Sequence, residues 1–375
     1  MKSIIFCRWI IFFLGILEVT SDLEYKFVNV IFRHGDRTPM NQPYESFRTS
    51  PYAKSDFSPY GHGQLTNKGK QRVYELGKYM RTRFGQFLGD IDDPNAVSAR
   101  STHTDRTHMS LQVAMAGMFP PGRHQKWNSE LNWQPVVMNV PSPDDDFLLF
   151  HRHPEFEQQR ACILKYPQLR AEIETLSDFA KNLSDWIGAP VTDTKQYNFI
   201  YHGLESLESM EYSLPSWATG IYPRGLLLDA VYQEYQVLNY NWKMRCLSGG
   251  TLLKKFTDNM LNAASGNGQS KLKIELLAAD DINIVSLLRI LNLYEPHIPK
   301  YTSAIFVELL GDGDKYFINI HYYLGSPSAT ESLRIPGCGE LCPLEEFVKL
   351  FRRSMPTAET ICWPRWYSLK NVFYY

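Results

Sequence analysis

Residues 26–32, Lys-Phe-Val-Asn-Val-Ile-Phe, lead directly into Arg33-His34-Gly35-Asp36-Arg37-Thr38-Pro39. A short apolar run bounded by turn residues reads as a buried β-strand. This one ends on a histidine held between two arginines. The same pattern recurs along the chain: apolar strand, charged turn, amphipathic helix.

The first unit continues through a polar loop, residues 40–62, to Thr66, a good helix N-cap. Val73, Leu76, Met80, Phe84 and Phe87 then recur at helical spacing. The second unit runs from residues 95–99 into Arg100-Ser101-Thr102-His103-Thr104-Asp105-Arg106-Thr107, then a helix through Met109, Val113, Met115 and Met118. The third runs from residues 272–277 into Ala278-Ala279-Asp280-Asp281, then a helix carrying Ile284, Leu287, Leu288, Ile290 and Leu291. Open α/β sheets place their sites outside the carboxyl ends of the strands, so the three turns are expected to converge on one crevice. Residues 304–323 read as a β-hairpin around Gly311-Asp312-Gly313-Asp314. Residues 140–235 show short helical patterns and no long β run. They are expected to form an inserted, mainly helical cap. The α/β catalytic domain would then be residues 22–139 and 236–375, behind a leader at residues 1–21.

Of the 375 residues, 44% are apolar, enough for a proper core, and 39 basic residues balance 40 acidic ones. No basic block points to nucleic acid, and no acidic tail points to disorder. The N-terminus has Lys2, an apolar stretch to Leu17, and a plausible cleavage site near Val19-Thr20-Ser21. It reads as a secretory signal peptide rather than a membrane anchor, because the stretch is short and Arg8 interrupts it. The mature protein is expected to be soluble, exported and free of the membrane. Export permits disulfides. With Cys7 removed, Cys162, Cys246, Cys338, Cys342 and Cys362 remain, an odd number. Cys338 and Cys342 flank a short loop beside Pro336-Gly337 and Pro343, which favours a local bridge; a zinc site would need two further ligands, and none are evident nearby. Asn182-Leu183-Ser184 is a glycosylation sequon, expected on a surface loop.

The segment Arg33-His34-Gly35-Asp36-Arg37-Thr38-Pro39 resembles the signature of the histidine acid phosphatases. Residues 61–69, residues 98–107 and Leu214-Pro215-Ser216-Trp217-Ala218-Thr219 resemble further blocks of that family. The resemblance spans roughly residues 25–365, and its start looks most like insect members, venom acid phosphatases among them. It implies the phosphoglycerate-mutase-like α/β fold: a mostly parallel sheet flanked by helices, with an inserted α-helical cap. It implies a secreted acid phosphatase that hydrolyses small phosphate monoesters through a phosphohistidine, with no cofactor and no metal. A homodimer stays open.

In that reading His34 is the nucleophile, because covalent catalysis splits one hard displacement into two easier ones. Arg33, Arg37 and Arg100 clamp the phosphoryl oxygens, where charge shifts in the transition state. Asp281 takes the family's general-acid position and protonates the leaving oxygen. The resemblance also pairs Cys162 with Cys362 and leaves Cys246 over.

The third turn departs from the pattern. The family usually carries His-Asp there; this chain carries Asp280-Asp281. Position 280 is expected to face the phosphate. An ionised Asp280 would repel it and leave a pseudoenzyme or a secreted binding protein. Alternatively, the adjacent carboxylates raise each other's pKa, and a protonated Asp280 donates a hydrogen bond at acidic pH. Intact His34 and all three arginines favour a working enzyme.

Arg106 and Asp105 read as a structural ion pair rather than as direct phosphate contacts. Asp36 either orients an arginine or caps the turn. Trp217 is either an aromatic wall for substrate or a structural tryptophan. His151-Arg152-His153 and Asp144-Asp145-Asp146 read as solvated segments rather than metal ligands. A phytase is the competing enzyme, but residues 141–240 carry 7 Lys/Arg against 15 Asp/Glu, which repels a polyanion. A cytosolic phosphoglycerate mutase is disfavoured by the leader and the cysteines.

Overall fold

The computed structural model describes residues 23–89, 94–149, 154–266 and 271–357. The leader, His151-Arg152-His153 and Cys362, and with it the pairing to Cys162, lie outside the described residues.

The strands are β1 (Glu24–Arg33), β2 (Val97–Ser101), β3 (Ile274–Ala279), β4 (Ala304–Asp312), β5 (Lys315–Ser326), β6 (Ala329–Leu333) and β7 (Cys342–Pro343). They form one mixed sheet in the order β2-β3-β1-β4-β5-β6, with β7 paired to β5. β2, β3 and β1 run parallel, and β4, β5, β6 and β7 add antiparallel neighbours.

The helices in chain order begin with α1 (Pro43–Ser46), α2 (Asn67–Leu88) and α3 (Asp105–Met118). Next come α4 (Pro154–Ile163), α5 (Pro167–Glu174), α6 (Ser177–Ile187), α7 (Thr194–Ser209) and α8 (Leu226–Val237). The last are α9 (Trp242–Arg245), α10 (Thr251–Ala264), α11 (Asp281–Ile290) and α12 (Leu344–Phe351).

The unbroken apolar run in β1 follows from burial on both faces. Val28, Val30 and Phe32 share a core with Val73, Leu76 and Met80 of α2 and Leu111 of α3. Phe27 and Ile31 share the opposite core with Phe256 of α10, Leu287 of α11 and Phe347 of α12. Thr66 caps α2, its hydroxyl accepting from Gly69 N at 3.1 Å.

Two glycines let α2 press against the signature turn. A Cβ on Gly69 would stand 2.2 Å from Asp36 O, and one on Gly35 would stand 2.5 Å from Gly69 O. The three parallel strands end level. Arg33 pairs with Ala279, and Ser101 pairs with Ala278. The backbone continues this register past the strands: His34 N donates to Ala279 O at 3.0 Å, and Thr102 N donates to Ala278 O at 3.2 Å.

Helices α6 to α8 carry their own apolar cluster, in which Leu183, Ile200, Leu204 and Tyr235 pack with Phe47 and Phe57 from the segment after β1. Cys338 and Cys342 are joined by a disulfide. Cys246 is a buried thiol and Cys162 an exposed one. Asn182 is exposed but sits within α6, not on a loop. That helix is amphipathic: Phe179, Leu183 and Ile187 fill the inner face and leave Asn182 outside.

Candidate active site

His34 follows β1 and is buried. Its Nδ1 lies 2.8 Å from Gly35 O. A carbonyl only accepts, so Nδ1 carries the proton and Nε2 keeps the lone pair. Burial pushes the pKa of His34 down to about 4, against the opposing pull of Asp280. The ring is therefore neutral through mildly acidic pH.

Asp280 stands at the N-terminus of α11, where its backbone N–H donates to Asn283 Oδ1 at 3.2 Å. Its Oδ1 is 3.4 Å from His34 Nε2 and 2.8 Å from an Arg106 guanidinium nitrogen. Burial works to raise its pKa, but the Arg106 guanidinium outweighs it and holds the carboxyl well below the usual range. Asp281 turns elsewhere. Its Oδ2 accepts from the Tyr235 hydroxyl at 2.5 Å and lies 3.3 Å from His202 Nε2. Here too burial is outweighed, by His202 and Arg33, and the carboxyl is held low.

The mutual raising expected of the adjacent carboxylates is thus corrected. Each aspartate sits beside its own basic group, Asp280 at Arg106 and Asp281 at His202, and both carboxyls are held low. The expected Arg106–Asp105 pair is corrected as well: Arg106 pairs with Asp280, while Asp105 accepts from Gln64 Nε2 at 2.9 Å.

All three arginines expected to clamp the phosphate are anchored by carboxylates. Arg33 reaches both oxygens of Glu205, at 2.7 and 3.2 Å, donates to Pro299 O at 2.6 Å, and lies over the Tyr301 ring at 4.1 Å. Arg37 is bidentate to Glu45 at 2.6 and 3.0 Å. Arg100 donates to Asp146 Oδ1 at 2.6 Å. Asp146 therefore departs from the solvated turn expected for residues 144–146. It is 1% exposed and also accepts from Leu148 N and Leu149 N, at 3.2 and 2.9 Å, whereas Asp144 and Asp145 are exposed. Asp36 accepts from the Ser209 hydroxyl at 2.5 Å and pairs with Arg72 at 3.4 Å. It orients an arginine of α2, not one of the clamp.

A cleft of ≈ 390 Å³ gathers Arg33, His34, Arg37, Arg106, Asp280 and Asp281. Arg100 does not line it. One wall is apolar, with Leu149, Phe156, Phe199 and Leu238, and the Glu157–Lys195 ion pair also borders it. A larger cavity, ≈ 660 Å³, reaches Glu205 and Tyr301 from another side but holds neither His34 nor either aspartate, so the chemistry belongs to the smaller one. Trp217 lines neither space; it packs edge-on to Phe47 and stacks on Trp186, a structural position. Among the described residues, no three or more His, Cys, Asp or Glu side chains gather as a metal site.

The sequence did not reveal Glu45, His202, Glu205 and Tyr235. His202 and Glu205 stand at i and i+3 on α7, a spacing that puts both on one helix face. That was the available signal, but which strand end they meet depends on how α7 docks.

The model of the histidine phosphatase superfamily, branch 2, matches residues 24–323. Venom acid phosphatase Acph-1 of Apis mellifera is 40% identical over 92% of this chain and 89% of its own. Prostatic acid phosphatase of Mus musculus is 33% identical over 87% of this chain and 86% of its own. The crystal structure of a Klebsiella sp ASR1 phytase superposes with a TM-score of 0.65 at 17% identity, over 91% of this chain and 99% of that one. That last likeness is one of fold.

Proposed function

We propose that this chain, which belongs to the histidine phosphatase superfamily, branch 2, is a secreted acid phosphatase that hydrolyses small phosphate monoesters through a phosphohistidine on His34. The observation that carries the reading is the 2.8 Å contact between His34 Nδ1 and Gly35 O. With Nδ1 engaged by Gly35 O, the lone pair on Nε2 opens to a cleft lined by Arg33, Arg37 and Arg106.

In the first half-reaction His34 Nε2 attacks phosphorus and the ester P–O bond breaks. The leaving oxygen takes a proton on the Asp281 side. In the second, water attacks the phosphohistidine and frees inorganic phosphate. Arg33, Arg37 and Arg100 hold fixed orientations because Glu205, Glu45 and Asp146 anchor them, and preorganised cations stabilise shifting charge without reorganisation. The helices of residues 140–235 act as a cap over the strand ends. The acidic excess of this stretch, 7 Lys/Arg against 15 Asp/Glu over residues 141–240, favours a compact monoester over a phytase substrate. Secretion is supported by residues 1–21 and by the likeness to a venom protein. Asn182, exposed on α6, is the glycan acceptor in this reading.

One observation favours a second reading, an impaired pseudophosphatase: the ionised Asp280 lies 3.4 Å from the attacking nitrogen. Turnover of p-nitrophenyl phosphate separates the two. The enzyme reading expects turnover, an acid-labile, base-stable phosphoryl label after alkaline quench, and loss of both in His34→Ala. A folded wild type with no turnover and no label selects the pseudophosphatase.

A further inference from the structure

The leaving alkoxide needs a proton, yet the geometry around Asp281 is that of a carboxylate. Its Oδ2 accepts from Tyr235 and faces His202 Nε2 at 3.3 Å. The other nitrogen of the same ring, His202 Nδ1, lies 2.9 Å from Glu205 Oε2. A neutral imidazole has one N–H and one lone pair. It can donate to only one of these carboxylates; with the proton on Nε2, its Nδ1 lone pair accepts from Arg33 Nη2 at 3.2 Å but also turns on Glu205. The imidazolium alone donates to both carboxylates. The ring is 4% exposed, so water does not serve either nitrogen.

The surrounding charges agree. Facing the ring are Asp281 from α11, Glu205 from its own helix and Arg33 from β1, whose Nη2 is 3.2 Å from Nδ1. Tyr235 of α8 reaches it through Asp281, and the neighbouring Tyr201 ring meets it edge-on. Two carboxylates against one guanidinium leave room for one more positive charge. Burial disfavours that charge, but Asp281 overcomes it and the pKa of His202 is raised.

We propose that His202 is the proton reservoir of the reaction, a positioning residue whose imidazolium supplies the proton that Asp281 passes to the leaving oxygen. As the His34 Nε2–P bond forms, the ester P–O bond breaks and its electron pair stays on the leaving oxygen. The proton on His202 Nε2 moves to Asp281 and on from Asp281 to that oxygen, so Asp281 begins and ends the step as a carboxylate. The products are the free alcohol, the phosphohistidine and a neutral His202. When water attacks phosphorus, the His34 Nε2–P bond breaks and the water proton returns through Asp281 to His202. The proposal rests on the phosphohistidine reading above.

The test uses the full chain with His202→Gln and His202→Asn, an alkyl phosphate and p-nitrophenyl phosphate, across pH 3.5 to 8. Nitrophenolate leaves without protonation. General acid catalysis is worth about 100-fold or more, so kcat/KM for the alkyl ester is expected to fall by about that factor. For the nitrophenyl ester it changes about threefold at most, and the phosphoenzyme is still trapped. The fall in activity on the basic side of the alkyl-ester pH profile disappears with the reservoir. A brace that merely holds the cap would depress both esters equally; equal losses, or none, overturn the proposal.

Wild-type protein labelled with ¹⁵N-histidine gives a readout independent of folding in the variants and of turnover. Both ring nitrogens of His202 should be protonated at pH 6. A single N–H there overturns the proposal, whereas an absent phosphoenzyme in the wild type would overturn only the phosphohistidine reading.

Discussion

Asp280 Oδ1 lies 3.4 Å from His34 Nε2, the nitrogen proposed to attack phosphorus, and the same oxygen is held by Arg106 at 2.8 Å. A phosphate approaching His34 meets an anion already in place and must share Arg106 with it. Asp280→Asn removes that anion and releases the guanidinium. The KM for p-nitrophenyl phosphate and the inhibition constant of inorganic phosphate are both expected to fall about tenfold, equivalent to ~1.4 kcal/mol of relieved repulsion. Unchanged constants would mean that position 280 does not face the phosphate.

His34 carries a pH signature in stability. Its folded pKa is depressed to about 4 by burial, from an ordinary value of 6.5. The unfolded chain therefore takes up a proton between those values that the folded chain refuses. Stability is lost as pH falls from about 6.5 toward 4, by up to about 3 kcal/mol. His34→Asn has no such proton to refuse. Its Tm relative to wild type should rise by several degrees between pH 7 and pH 4. His202 works with the opposite sign: its raised pKa contributes stability below about 6.5 that is lost as pH rises through its folded value. A relative Tm that is flat with pH would mean that His34 titrates normally.

The parts of the site that sequence made legible are local. β1 could be read because both its faces are buried, and the start of α2 because Thr66 caps its own helix. His34, Arg33, Asp280 and Asp281 could be placed together because parallel strands ending level present their following turns side by side. The partners were not legible, because they come from distant positions: Glu205 is 172 residues from Arg33, and Asp146 is 46 from Arg100. The charge state of the aspartate pair failed for a geometric reason. Adjacency in sequence suggests coupling, but successive side chains at a helix start diverge by about 100°, so one meets Arg106 and the other His202.

The Cys338–Cys342 disulfide spans a separation of four residues and sits beside β7, which pairs with β5, whereas the candidate site lies at the ends of β1 and β3. Closing so short a loop removes little entropy from the unfolded chain, about 2 kcal/mol in the chain-entropy model. Cys338→Ser with Cys342→Ser is expected to lower the urea midpoint by no more than that implies, with kcat/KM unchanged. A large loss of activity in the folded double variant would show that this edge communicates with the cleft.

Asp146 is the residue through which Arg100 can be tested without touching Arg100 itself. Its Oδ1 accepts the Arg100 guanidinium and two backbone amides, all out of solvent. Asp146→Asn leaves a buried guanidinium without its counter-charge and offers an amide group where the carboxylate accepted. Removing one partner of a buried pair costs about 3–5 kcal/mol, so a clear drop in Tm is expected. A wandering Arg100 should also raise KM for p-nitrophenyl phosphate more than it lowers kcat, if the arginine helps hold the ground-state phosphate. Asp144→Asn, on the same turn but exposed, is the matched control and should leave both Tm and KM within error. If the two variants behave alike, the Arg100–Asp146 pair contributes nothing to the site, and the turn is as solvated as its sequence suggests.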